Sequence, residues 1–157
     1  MARRGLLIAM LASCVTGVGC GNGYDNGRSE AAIITPRRTW RASGDMRTVQ
    51  AAIDQDLATA AVSAESGGRG TITIDLGKPC LFNMIFIEHG PNEMGFARRV
   101  AVLTSMDGEV FTQRYAGPGT RRVTALYLGA PVLARYVRLR AVVAGDRPWS
   151  VAEVFLF

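Results

Sequence analysis

At 157 residues the chain is long enough to bury one hydrophobic core and too short for two comfortable domains. Its formal charge of +5 and pI near 9.6 would suit an acidic partner. The basic residues, however, come as scattered pairs (Arg37-Arg38, Arg98-Arg99, Arg121-Arg122) and never as the block a nucleic-acid arm needs, so nucleic acid is not expected as a partner.

Residues 1–20 have the form of an export signal: Arg3 and Arg4, then the apolar run Gly5 to Ala12, then small residues and cysteines. The run is too short to span a bilayer, which takes on the order of 20 apolar residues. Leu11-Ala12-Ser13-Cys14 resembles the lipobox of bacterial lipoprotein signals, in which the cysteine is lipidated. Cys20 sits at a more ordinary distance from the start but lacks the large aliphatic residue upstream, so the anchor is Cys14 or Cys20; a plain secretory signal is the alternative. The expected location is the cell envelope, lipid-anchored or periplasmic to extracellular. Residues 21–35, polar and glycine-rich without periodicity, read as a flexible tether. The folded domain is expected over 36–157, as a monomer that meets the membrane only through its anchor. Within it Cys80 has no partner for a disulfide and adjoins an apolar run, which predicts a buried, inert thiol.

From Pro36 onward, short apolar or alternating runs are separated by turn residues about every ten positions, as in an all-β antiparallel sandwich. Val49 to Ala61 alone has helical or turn character. Thr71 to Leu76 alternates strictly and predicts a strand with Ile72, Ile74 and Leu76 on one face, ended by Gly77-Lys78-Pro79. Leu81 to Ile87 is nearly continuous apolar sequence and predicts a strand covered on both faces. Further strands are expected at Arg99–Thr104, Val110–Tyr115 after the turn Met106-Asp107-Gly108, Val123–Leu128, Arg135–Val143 and Val151–Phe157. Trp40 is assigned to the core.

Read in order, several segments resemble the coagulation factor V/VIII type C, or discoidin, domain and its relative, the family-32 carbohydrate-binding module. They are Trp40-Arg-Ala-Ser43, Ala52-Ile-Asp-Gln-Asp-Leu-Ala-Thr59, Ile74-Asp-Leu-Gly77, Val102-Leu-Thr-Ser-Met-Asp-Gly108, Ala134-Arg-Tyr-Val-Arg-Leu139 and Trp149-Ser-Val-Ala-Glu-Val154. The resemblance implies a jelly-roll β-sandwich of the galactose-binding-like kind. Two departures are visible: Ala61 where the family usually has tryptophan, and Gln55 in place of a loop glycine, which puts a positive-φ turn there in question.

The resemblance also implies a structural Ca2+ held by Asp54, Asp56, Thr59 and Glu153, with carbonyls near Ala51 and Ala152. Hard cations take six to eight such oxygens. The alternative is that the aspartates make Asx-turn hydrogen bonds and Glu153 is solvated. Sugar-binding members use an arginine, an asparagine and an aromatic at the opposite end, which falls here on the loop Glu88 to Phe96. His89 takes the arginine's place and Met94 the asparagine's, with Asn92 close by. Candidate ligand-binding residues are therefore His89, Asn92, Glu93, Phe96 and Trp149, the two aromatics being either exposed platforms or core.

Catalytic constellations are missing. A single histidine and one cysteine in the domain make neither a histidine-rich metal site nor a Cys–His pair. The glycine-rich Gly117-Pro-Gly119 lacks the lysine and helix of a phosphate loop. The expected function is a non-catalytic binding module for carbohydrate or another cell-surface ligand. The alternative is a structural or protein-interaction domain that contacts a cell-surface protein and no sugar.

Overall fold

The computed structural model describes Ile34, residues 38–64 and residues 69–157. The expected export signal, Cys14, Cys20 and nearly all of the tether lie outside the described residues. In chain order the elements are β1 (Arg41–Gly44), a 3-10 helix (Val49–Ile53), β2 (Ala61–Val62), β3 (Thr71–Glu88), β4 (Arg99–Ser105), β5 (Thr112–Pro118), β6 (Val123–Val143), β7 (Ser150–Val151) and β8 (Glu153–Leu156).

The architecture follows from two long strands. β3 has 18 residues and β6 has 21, where about 5–6 is usual. The first half of β3 lies between β1 and the second half of β6, which pairs onward to β4 and then β5. The second half of β3 lies between β8 and the first half of β6. One pair of strands thus serves a five-stranded and a three-stranded antiparallel layer. The ladder between β3 and β6 shifts register between Asp75 and Cys80 and between Phe82 and Met84. Gly77 (φ +78) and Gly129 (φ +81) lie in these bends, in a backbone region glycine reaches without steric cost.

The two layers close on one core. Ile72, Ile74, Leu76, Val100, Val102, Val137 and Leu139 line the inner face of the five-stranded layer, and Phe82, Ile85, Ile87, Leu126, Val154 and Leu156 that of the other. Alternation puts every second residue inward, which is why these positions carry the branched aliphatics. Trp40 (2% exposed) and Cys80 (3%), its thiol donating to the Lys78 carbonyl, are buried in this core, as expected. β2 and β7 form a small ribbon beside it, Ala61 opposite Val151.

Three expectations about elements change. Gly77-Lys78-Pro79 does not end a strand: Thr71–Leu76 and Leu81–Ile87 are halves of β3, and Val123–Leu128 and Arg135–Val143 are halves of β6. The Leu81–Ile87 run is covered on its inner face only. On the outer face Met84 and Phe86 are half-buried, Phe86 stacking at 4.7 Å on Phe157. The segment Val49 to Ala61 is helical only over the 3-10 turn, after which the chain makes the turns of the acidic loop.

Candidate binding site at the loop end

The loops 45–60, 89–98, 119–122 and 144–149 gather at one end of the sandwich. The loop after β3 begins at His89, which is 0% exposed. Its Nδ1 lies 2.6 Å from the Ser150 carbonyl and its Nε2 2.9 Å from the Thr124 hydroxyl. A carbonyl only accepts, so Nδ1 carries the proton and Nε2 takes the hydroxyl hydrogen. The backbone joins the same knot: His89 N–H donates to Arg122 O, and Ser150 Oγ to His89 O. Burial holds the imidazole's pKa below its usual value, against the Ser150 contact that favours the charged form, so the ring is neutral. His89 therefore ties β3, β6 and β7 together. It is not presented to a ligand, and the expectation that it reads one is corrected.

Trp149 is corrected for the same reason. It is 0% exposed, its backbone N–H donates to Ser63 Oγ, and its ring is core. The other three candidates stay near the surface. Asn92 is half-buried, its carbonyl accepting the Gly95 N–H at 2.8 Å in a tight turn. Glu93 makes an ion pair with Arg121, both ends well exposed, worth at most about 1 kcal/mol. Phe96 is half-buried, its ring 6.3 Å from that of His89. Arg121 had no place among the candidates, and its adjacency to Arg122 gave no hint that it would fasten this loop. Exposed apolar side chains also stand here, Leu57 at 52% and Met94 at 42%.

The acidic loop adjoins this one instead of lying at the opposite end. Gly90 sits at φ +57 with no room for a side chain: a Cβ would stand 2.7 Å from the Leu57 carbonyl oxygen and 2.6 Å from the Ala152 Cβ. Within the acidic loop Asp54 Oδ1 accepts the Asp56 N–H, Asp54 Oδ2 accepts the Thr59 hydroxyl, and Asp56 Oδ1 accepts the Ala58 N–H. These are Asx-type turns. Gln55 nonetheless keeps the positive-φ conformation, at φ +67.

Glu153 is not solvated. It is 1% exposed; Oε2 accepts the Gln55 N–H at 2.6 Å, and Oε1 is buried with no partner among the described residues. Burial pushes its pKa up to about 7, against the Gln55 hydrogen bond, with the nearby Asp54 charge adding to the rise. Among the described residues no three acidic, histidine or cysteine side chains converge on one point. The groups that fit a hard cation are the unpartnered Glu153 oxygen, the Asp54 and Asp56 carboxylates and the Thr59 hydroxyl, all oxygen. Within these turns both Asp54 oxygens and one Asp56 oxygen already accept a hydrogen bond.

Similarity to known proteins agrees with this architecture. No curated protein matches the chain by sequence. Among solved structures, the family 32 carbohydrate-binding module of Clostridium perfringens NanJ, in complex with galactose, is 19% identical with a TM-score of 0.66, covering 77% of this chain and 95% of that one. A second C. perfringens module, CpGH89CBM32-5, in complex with GalNAc-beta-1,3-galactose, is 19% identical with a TM-score of 0.67 over 76% and 95%. The chitosan-binding module 1 of a chitosanase/glucanase from Paenibacillus sp. IK-5 is 20% identical with a TM-score of 0.64 over 78% and 95%. At such identities the likeness is one of fold. The F5/8 type C domain profile matches residues 32–154, most of the chain, and the protein is a member of the F5/8 type C domain family.

Proposed function

We propose that this protein is an exported, non-catalytic carbohydrate-binding module that works from the cell envelope, held there by a lipid on Cys14 or Cys20, as a monomer. The observation that carries the reading is an F5/8 type C fold whose loop end keeps Asn92, Glu93 and Phe96 accessible on one short loop. The similar modules solved with galactose and GalNAc-beta-1,3-galactose support a sugar as ligand. Recognition differs in detail from the galactose type, because His89, at the arginine's place, is turned inward and bonded on both nitrogens. Contact falls instead to the Asn92 amide, the Glu93–Arg121 pair and the half-buried Phe96. A glycan array probed with the full chain tests this. Binding to a glycan subset that Asn92→Ala and Phe96→Ala each weaken is the expected result, and silence across plant, bacterial and host glycans would remove the reading.

The proposal includes a structural Ca2+ held by Glu153, Asp54, Asp56 and Thr59. Its role is to satisfy the buried Glu153 carboxylate and stiffen the loop against which Gly90 packs.

A second reading, a domain that docks on a cell-surface protein, is favoured by the exposed Leu57 and Met94 on adjoining loops. Pull-down from envelope extracts with wild type and with Leu57→Ser/Met94→Ser separates the two.

A further inference from the structure

A groove of about 310 Å3 lies on the outer side of the five-stranded layer, lined by Asp45, Arg69, Thr71, Arg140 and Val142. Thr71 stands opposite Arg140 in the ladder between β3 and β6, and the hydrogen bond from Ala141 N–H to Gly70 O carries the pairing one step further. Arg69, two residues before Thr71 and outside the strand, lines the same groove as Arg140. Both arginines are exposed, and neither makes a hydrogen bond or ion pair among the described residues. Elsewhere on the surface Arg98, Arg121 and Arg135 are paired with Asp146, Glu93 and Asp75. Like charges lining one groove repel, so a pair with no ion-pair partner among the described residues is an arrangement that an anion relieves.

The acid that lines the groove, Asp45, does not supply that anion. Asp45 Oδ1 accepts the Thr71 N–H at 2.6 Å, and Asp45 forms no ion pair with either arginine. Its other carboxylate oxygen remains as an acceptor. The groove therefore offers two planar guanidinium donors, one carboxylate acceptor and the apolar edge of Val142, 37% exposed. A guanidinium matches a carboxylate's geometry, a free carboxylate accepts from sugar hydroxyls, and an aliphatic edge suits the C–H face of a pyranose.

We infer that this groove is a second saccharide site, selective for a carboxylate-bearing sugar of the uronate class. Arg69 and Arg140 take the carboxylate and Asp45 a ring hydroxyl. The saccharide part of the inference rests on the carbohydrate reading above, but the site shares no residue with the loop Asn92 to Phe96.

The test is affinity electrophoresis of the full chain through gels containing polygalacturonate, neutral galactan or no polymer, with thermal melting to show that each variant is folded. The expected result is retardation by polygalacturonate that Arg69→Gln/Arg140→Gln weakens about tenfold or more, each single variant giving an intermediate loss. Arg147→Gln, which removes the same charge from another exposed position, leaves retardation unchanged. Absence of retardation by polygalacturonate, or an equal loss in Arg147→Gln, overturns the site. So does inorganic polyphosphate competing as well as oligogalacturonate, since that reduces the groove to a general anion contact. The galactan lane separates the two sites: galactan binding kept in the double arginine variant and lost in Phe96→Ala leaves the loop reading standing whatever the acidic lane shows.

Discussion

His89 and Glu153 are buried to nearly the same degree at the same end of the sandwich, 0% and 1% exposed, yet they are opposite cases. Every polar atom of the His89 ring has a partner: one nitrogen faces a carbonyl, the other a hydroxyl. Glu153 has one oxygen bonded and one orphaned. Burial alone thus says little about function. A satisfied buried group holds elements together, whereas leftover hydrogen-bonding or charge capacity is what a missing partner would fill. Trp149 Nε1 is likewise without a partner among the described residues, on a side chain that belongs to the hydrophobic core.

The largest expected effect is on the His89 side. His89→Ala should cost about 3 kcal/mol in urea unfolding, since it opens a cavity and removes the ring donor to the Ser150 carbonyl, while the Thr124 hydroxyl keeps its bonds to Thr120. His89→Asn, which keeps a donor for Ser150, should recover part of that. A loss under about 1 kcal/mol would mean that the knot is not structural.

Next is calcium, which should act at the Glu153 site and not at His89. At a hundredfold excess over its dissociation constant it should stabilise wild type by about 2.7 kcal/mol in thermal melts against a chelator, and leave Glu153→Gln unmoved. An unchanged wild-type midpoint would leave the orphaned oxygen without the proposed partner.

The pH dependence sharpens the contrast further. Below 6.5, the ordinary histidine value, the unfolded chain takes up a proton that the folded His89 site refuses, so stability falls as pH drops. Between 4.5 and about 7 the folded Glu153 holds a proton the unfolded chain has lost, so stability falls as pH rises. Over the shared interval the slopes oppose, so in chelator wild type should vary less with pH than the variant that keeps only the Glu153 slope. His89→Asn should expose the Glu153 slope and Glu153→Gln the opposite His89 slope, each at most about 1.4 kcal/mol per pH unit. Urea midpoints at three pH values decide it, and slopes of the same sign in the two variants would break the comparison.

Smallest is Gln55→Gly, expected to stabilise by about 0.5 kcal/mol in the same assay by relieving the left-handed backbone at φ +67.

Much of the fold was legible because alternation is a local property. Thr71 to Leu76 carries its burial pattern openly, and Ile72, Ile74 and Leu76 are all inside. What could not be read was continuity through a bend: Gly77-Lys78-Pro79 has the composition of a terminator, and only pairing with distant strands keeps β3 running through it. The candidate site was legible as a loop and not as a set of side chains. A histidine after a strand looks the same in sequence whether it faces water or meets Ser150, 61 residues away. The Arg69 and Arg140 groove was invisible for a related reason, since the two are brought together only by the fold.

The sharing of β3 and β6 between both layers also governs how the molecule comes apart. Neither layer can peel away while the other persists, because each has the other's central hydrogen-bonded ladder as its own backbone continuation. Opening should be all-or-none, and hydrogen–deuterium exchange should find the slowest amides of the two layers released together through one global event.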